Sequence, residues 1–523
     1  MTRPTPPRRL RAASGVGLTF ALAVAALTGC SALASAEAET GSAAPASSSA
    51  SASDASSSSD STTSSSDAST PAGVSEIIEA NSDQTVVNDD EWSEADAVDI
   101  ALDGTTATTS SENVAAAEGS VTITAAGVYR LTGDFDGVIA IDAPEDAQVV
   151  LILDGVSIET TDQAAIGVVS ADDVAIVLAD GSENTVTSTG TYADSADANA
   201  AIWADTDLTI SGTGALTVEA GANDGITSKD DLVILSGSLE VTAADDGLRG
   251  TDSLTVRGGD IVIDAGGDGL LSDQEDDDSQ GWVLVEGGTL DVEAGSDGID
   301  GYTDAIVTGG EVTITSEEGI EAGTVAIGGG TISITTTDDG INGSAGTADD
   351  TATNDEFAGG MGGGGMTDTG EYVLIAGGEI TIDAEGDGLD SNGSLDITGG
   401  TTIVLGPTNG GNGALDTNGS LTISGGTLLA LDSGGMSGSP STDSAQAWVA
   451  TSASGSAGST VQILAADGTV LYEAEAAKAF GALVFSSADV VAGETYSVTV
   501  DGTEVASAAT GQALAGGMGG GPR

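Results

Sequence analysis

Between Ala200 and Leu431, apolar and polar residues alternate with period two on either side of a Gly-Gly or Ser-Gly step. Examples are Leu232/Ile234 then Leu239/Val241, Leu254/Val256 then Ile261/Ile263, and Val373/Ile375 then Ile380/Ile382. Period two is the signature of strands and not of helices. Each pair of strands is preceded by the same phrase, an acidic residue, Gly, and Ile or Leu. It occurs at Asp224-Gly225-Ile226, Asp246-Gly247-Leu248, Asp268-Gly269-Leu270, Asp297-Gly298-Ile299, Glu318-Gly319-Ile320, Asp339-Gly340-Ile341 and Asp387-Gly388-Leu389. The glycines are separated by 22, 22, 29, 21, 21 and 48 residues, so the period is 21 to 22 and two intervals carry insertions. One insertion is the acidic run Asp273 to Asp278; the other, from Ser344 to Thr369, holds a Gly/Met-rich stretch, Gly359 to Met366.

A unit this short and one-sided cannot bury its apolar face alone, but stacked copies can. Its length suits one coil of a parallel β-helix, in which equivalent positions form columns about 4.8 Å apart. A leucine-rich repeat needs a Leu-x-x-Leu-x-Leu signature that is missing, and the calcium-binding nonapeptide roll has a shorter period. The expected fold class is all-β: a right-handed parallel β-helix (solenoid) with a C-terminal antiparallel β cap. Weaker coils at Gln163-Ala164-Ala165-Ile166 and Asn199-Ala200-Ala201-Ile202 place the start near Val121. The solenoid then covers 121–435, and the cap, with strands near Val461, Thr469, Ala482 and Tyr496, covers 436–513 ahead of a Gly-rich tail, 514–523.

Stacked coils also stack their Asp-Gly turns. The carboxylates of Asp224, Asp246, Asp268, Asp297, Glu318, Asp339 and Asp387 would form a file, each pair repelling by roughly 1 kcal/mol even in water. Four coils add a second oxygen-bearing group three residues on: Asp300, Glu321, Asn342 and Asp390. Any one Asp-Gly is simply a good turn. A whole aligned file is different, because Asn or Ser would make the same turn without the repulsion. Ca²⁺, which takes six to eight oxygens in flexible geometry, is the expected cofactor, although the pairing of ligands stays open.

Ahead of the repeat lie a basic stretch (Arg3 to Arg11), an apolar run (Val16 to Leu27) and Leu27-Thr28-Gly29-Cys30. Residues 1–29 resemble a bacterial lipoprotein signal peptide, which implies lipidation of Cys30. An ordinary secretory signal cleaved near Ala34-Ser35-Ala36 is the other reading, and both export the protein. Residues 30–74 are a Ser/Ala-rich tether too poor in branched apolar residues to fold, and 75–120 form a lead-in. The expected location is extracellular, on the outer face of the plasma membrane, with the lipid as the one membrane contact.

The 523 residues carry 83 Asp+Glu against 10 Lys+Arg and no His, a net charge of −73. Such a surface repels nucleic acid. Without His, and with a single Cys, thiolate or imidazole metal cages are excluded, leaving oxygen-ligated cations. Hydrophobic residues at 39% still allow a large core.

The opening Ala126-Gly127-Val128-Tyr129-Arg130-Leu131 and Val149 to Gly155, the Asp-Gly-Ile ladder, the Gly/Met-rich loop and Leu431 to Ser437 together resemble a bacterial carbohydrate-binding domain-containing family of clostridial type. The resemblance spans about Val121 to Val500. It implies a secreted, pectate-lyase-like β-helix that contains calcium and binds cellulose or polygalacturonate without evident cleavage. The coils at Ala201 and Ala414 lack the acidic residue, so no metal carries over to them.

A pectate lyase pairs Ca²⁺ with a basic side chain that removes the proton beside a uronate carboxylate. Only Lys229, Arg249 and Arg257 are basic within the repeat, and their spacing does not place them in one cleft. Binding therefore outranks lyase activity. A surface adhesin or scaffold is a third reading, and Thr-rich pieces such as Ile332 to Thr336 keep an ice-binding face in view. Sugar contact favours flat aromatic rings. Trp282 and Tyr372 each lie five residues before a Gly-Gly step and directly after an insertion, and Tyr302 follows the Asp297-Asp300 turn. These three form the candidate carbohydrate patch of a chain expected to be monomeric, with polysaccharide as its partner.

Overall fold

Because alternate residues face one side, a coil whose inward positions are Leu, Ile and Val must close around them. The computed structural model, which describes residues 70–192, 198–344 and 368–514, winds the chain into a parallel β-helix of three-strand coils. One coil has strands Asp224–Ser228, Asp231–Ile234 and Ser238–Ala243; the next has Leu248–Gly250, Ser253–Val256 and Asp260–Ala265. Their registers set Ile226 on Leu248, Leu232 on Leu254 and Leu239 on Ile261. Repeated up the stack, this gives three walls and one continuous core running from Ile100 to Val484. Cys30, the signal segment, the tether as far as residue 69, the Gly/Met-rich insertion and the Gly-rich tail beyond Leu514 lie outside the described residues, whereas the end assigned to the tether is folded, a helix over Ala72–Ile78 burying Val74.

The solenoid starts earlier than its punctuation suggests. Val98–Gly104 already pairs in parallel with Gly127–Asp136, burying Ile100 and Leu102, but its Asp103-Gly104 is followed by Thr105 and closes the strand instead of opening it, so no Asp-Gly-Ile or Asp-Gly-Leu phrase marks it. Two antiparallel pairings, of Val98–Gly104 with Thr106–Thr109 and of Val114–Ala117 with Ser120–Ile123, close this end. At the other end Thr427–Asp432 pairs antiparallel with Phe480–Ser486, which pairs with Trp448–Gly455. A separate four-stranded antiparallel sheet follows, from Thr460–Leu464, Val470–Glu475, Thr495–Val500 and Thr503–Ala509. Together they bury Leu429 and Leu431 against Phe485 and Tyr496, so the last coil does not end in an open edge.

Residues 71–97 run along the outside of one wall, against the direction of the coils. Helix α1 (Ala72–Ile78) buries Val74 against Trp282, Leu284, Ile306, Ala326 and Leu374. Beyond it the Ser82 amide donates to Ser279 O at 2.8 Å, the Thr85 amide to Asp231 Oδ2 at 2.8 Å and the Val87 amide to Thr209 Oγ1 at 3.1 Å. Val87 and Trp92 then cover Val128, Val150, Ile152, Ala175 and Val177. This strap follows the outward column Val128, Val150, Ala175, Thr209, Val233, Thr255, Leu284, Ile306, Ala326, Leu374. At one coil per ~4.8 Å it ties together about 43 Å of the stack.

The Asp-Gly glycines are fixed by close approach. A Cβ on Gly298 would sit 2.3 Å from Ile314 Cγ2 and 2.7 Å from the Gly319 carbonyl oxygen, because the turn dips toward the inner column where the next coil crosses it. Coils with Ala201 or Ala414 accommodate a methyl there, outside the Asp-Gly ladder. Gly298→Ala is expected to destabilise the fold by about 1–3 kcal/mol, the usual cost of overpacking. Chemical denaturation checks it, and an unchanged midpoint would show that the turn has room.

Candidate metal centre and ligand cavity

Register turns the acidic phrase into two parallel files. In the first, the amides of Gly225, Gly247 and Gly269 donate to the carbonyls of Asp246, Asp268 and Asp297, each at 2.8 Å. Asp297 lies on Glu318, and Gly319 and Gly340 donate to the carbonyls of Asp339 and Asp387. Thus Asp224, Asp246, Asp268, Asp297, Glu318, Asp339 and Asp387 stand in one column. The second column runs Thr227, Arg249, Leu271, Asp300, Glu321, Asn342, Asp390. All eleven predicted metal-site residues therefore occupy adjacent columns on one wall.

Most file carboxylates also have a backbone task. Asp246 Oδ1 accepts the Asp268 amide at 3.0 Å, Asp268 Oδ1 the Asp297 amide at 2.9 Å, Asp339 Oδ1 the Asp387 amide at 2.5 Å, and Asp387 Oδ1 the Gly413 amide at 2.5 Å. This engages one oxygen and needs no charge, since the amide oxygen of Asn accepts equally well. The charge is left unexplained by the turn.

Protein groups meet that charge at the start of the file. Asp224, 1% exposed, accepts from Asn199 Nδ2 at 2.6 Å and Thr227 Oγ1 at 3.0 Å, and lies 3.9 Å from an Arg249 guanidinium nitrogen. Arg249 is also held by Asp273, from the first insertion, whose Oδ1 accepts from its Nε at 3.2 Å. Further along, no Lys or Arg stands in either column. Instead carboxylates converge: single oxygens of Asp268, Asp297 and Asp300 lie within 4.8 Å of one another, as do those of Asp297, Glu318 and Glu321. Asp297 belongs to both sets. Asn342 donates to Glu318 at 3.1 Å, while its own buried Oδ1 has no partner.

Burial, then the neighbouring carboxylates, pushes Asp297 up to about 9 and Asp246 and Asp390 up to about 7. Burial and the adjacent Asp387 push Asp339 to about 7 against the amide hydrogen bond that lowers it. Burial raises Asp300 well above the ordinary carboxylate range, with Asp268 and Glu321 adding to it, and raises Glu318, helped by Glu321. Convergent, largely buried carboxylates and an orphaned amide oxygen form a donor set suited to a hard divalent cation.

The predicted aromatic patch divides. Trp282 and Tyr372 do share one column, with Asp304 and Thr324 between them. Trp282, however, is 4% exposed beneath α1, so it packs the strap and offers no ring face to a sugar. Tyr302 and Tyr372 are half-buried and line a cavity of about 680 Å³ between α1 and the wall, together with Asn81, Asp304 and Thr324. The repeat marked neither Asp304 nor Asn81. The signal was the uninterrupted apolar triplets Val283-Leu284-Val285, Ala305-Ile306-Val307, Val325-Ala326-Ile327 and Val373-Leu374-Ile375, which mean burial on both faces of the strand.

A long parallel β-helix carrying an acidic double file and an antiparallel cap defines the class of protein. Residues 117–355 match a family described as carbohydrate-binding domain-containing protein. A carbohydrate-binding domain-containing protein of Acetivibrio thermocellus is 40% identical over 209 residues, covering 39% of this chain and 73% of that one. A solved structure described as the polysaccharide lyase-like protein from C. thermocellum, in a gadolinium derivative, is 32% identical, covers 45% of this chain and 93% of its own, and has a TM-score of 0.40. The chain belongs to the carbohydrate-binding domain-containing protein family.

The raised carboxylates fix a sign for stability against pH. Between the unfolded carboxylate range near 4 and the folded values of about 6 to 9, the folded state holds more protons than the unfolded one. Stability without metal therefore falls as pH rises. Melting in chelator is expected at lower temperature at pH 8.5 than at pH 5. A flat or rising profile would contradict the shared burial of these groups.

Proposed function

We propose that this chain is a cell-surface polysaccharide-binding protein without cleavage activity, whose β-helix is held by Ca²⁺ and which is anchored through a lipid on Cys30. The observation that carries the metal is the pair of convergent carboxylate sets sharing Asp297. Asp268, Asp297, Asp300, Glu318 and Glu321 are the core ligands, with Asn342, Asp339, Asp387 and Asp390 extending the file and Asp246 flanking it. Asp224 falls outside this group, because Arg249, Asn199 and Thr227 already serve it. Bound there, Ca²⁺ supplies the positive charge that lets a polyanion accept an acidic glycan.

Family membership supports carbohydrate as the ligand. The state of the basic residues supports binding over elimination. Arg249, the one basic side chain in the two columns, is engaged by Asp224 and Asp273. Arg257, on another wall, pairs with Glu286 at 3.3 Å and donates to Gln84 of the strap at 3.1 Å. Neither arginine is free to serve as a base beside a uronate, and Lys229 belongs to the Asp224 coil, two coils before the first convergent carboxylate, Asp268.

Asp297→Asn removes the carboxylate common to both sets. It is expected to abolish the rise in melting temperature that calcium gives the parent, while in chelator at pH 8 the variant is at least as stable as the parent, because repulsion has been relieved. A variant that keeps the full calcium response would take Asp297 out of the site.

Pull-down on cellulose and on calcium-pectate, with and without chelator, tests the function itself. Retention on both is expected, with release from pectate in chelator and no rise in the absorbance of unsaturated uronate. An absorbance rise would make the protein a lyase, and absence of retention on either glycan would leave it a scaffold.

A further inference from the structure

The cavity beneath the strap has the features of a ligand site that the acidic file does not supply. Its volume of about 680 Å³ lies within the ~300–1,000 Å³ of small-molecule sites. Two tyrosines line it. Tyr372 is fixed by donating its hydroxyl to Asp396 at 2.9 Å, while Tyr302 lies in the same strand as Asp297 and Asp300, Asp297–Val307, and its Cβ packs beside Gly281. A rigid aromatic wall covers the apolar face of a sugar ring at low entropic cost.

The polar lining matches sugar hydroxyls, which both donate and accept. Asp304 offers a carboxylate that burial raises and that Asn81 and Thr324, beside it, hold back. Asn81 beside Asp304 sets an amide donor next to a carboxylate acceptor on the wall of the cavity, a pair that a sugar hydroxyl can bridge.

Charge selects among sugars. The lining carries Glu76, Asp278 and Asp304 and no Lys or Arg. A uronate would add to this negative field without the cation that the acidic file provides. We infer that the cavity is a second carbohydrate site, taking a neutral hexose unit of a polysaccharide, and that α1 of the lead-in completes it. The inference rests on the carbohydrate-binding reading above and assigns it a place and a sugar class.

Isothermal titration of the full chain with cellotetraose, trigalacturonate and the fully de-acetylated glucosamine tetramer tests it. Cellotetraose is expected to bind, with trigalacturonate at least about tenfold weaker in chelator. Tyr302→Ala, which removes the ring, is expected to weaken cellotetraose about tenfold or more. Ala80→Trp, on the exposed side of the strap, fills the mouth without touching the solenoid core and should do the same, so the test does not depend on the folding of one variant. If cellulose retains the parent but both variants bind cellotetraose as the parent does, the cavity assignment fails and the general reading stands. If no glycan is bound at all, both fail. Tighter binding of the glucosamine tetramer than of cellotetraose would overturn the neutral-sugar assignment.

Discussion

Stacking identical turns brings identical side chains to the spacing of neighbouring strands, and this one geometric fact governs the molecule. For Leu, Ile and Val it is favourable: the inner columns fuse into one core without any long-range design beyond repetition. For aspartate it is unfavourable, and more so because the turns dip into the wall. The same register that builds the core therefore creates a line of buried negative charge. Arg249 offsets it at one end; along Asp297 to Glu321, where carboxylate oxygens crowd into two sets, the described residues offer neutral donors such as Asn342 and Ser344 but no Lys or Arg in either column. In the proposed reading a divalent cation resolves the conflict, so metal binding and solenoid stability are one equilibrium.

A second constraint is the outer surface of one wall. A β-helix exposes every second residue of each strand, and on this wall those residues are apolar through several coils. Helix α1 and the extended chain after it cover them, and their backbone amides bond to side chains of successive coils. The strap thereby couples coils that are remote in sequence. Where α1 stands away from the wall, Tyr302, Tyr372, Asp304 and Asn81 are left around a cavity.

Much of this was legible in the sequence, and for a plain reason. A periodic chain states its own register: once the Asp-Gly phrases were aligned, the inner columns and both acidic files followed, and the structure places Asp297 on Glu318 and Asp300 on Glu321. What lacked the period was missed. Val98–Gly104 forms the first coil strand with its Asp103-Gly104 at the end and not at the start, outside the period, and the strap bears no repeat at all. Trp282 was misjudged because period two alone cannot tell an outward position in solvent from one beneath another segment; the apolar triplets around Leu284 and Ile306 carried that distinction. Arg249 was legible as a charge but not as the partner of both Asp224 and Asp273, which lie in different coils.

The central claim is that carboxylates which hold protons when metal-free give them up to a shared cation. Calcium titration calorimetry near pH 7, repeated in buffers of different ionisation enthalpy, measures this directly. The account predicts binding whose apparent enthalpy depends on the buffer, with protons released as calcium enters. Absence of calcium binding, or binding with no proton release in any buffer, would contradict it.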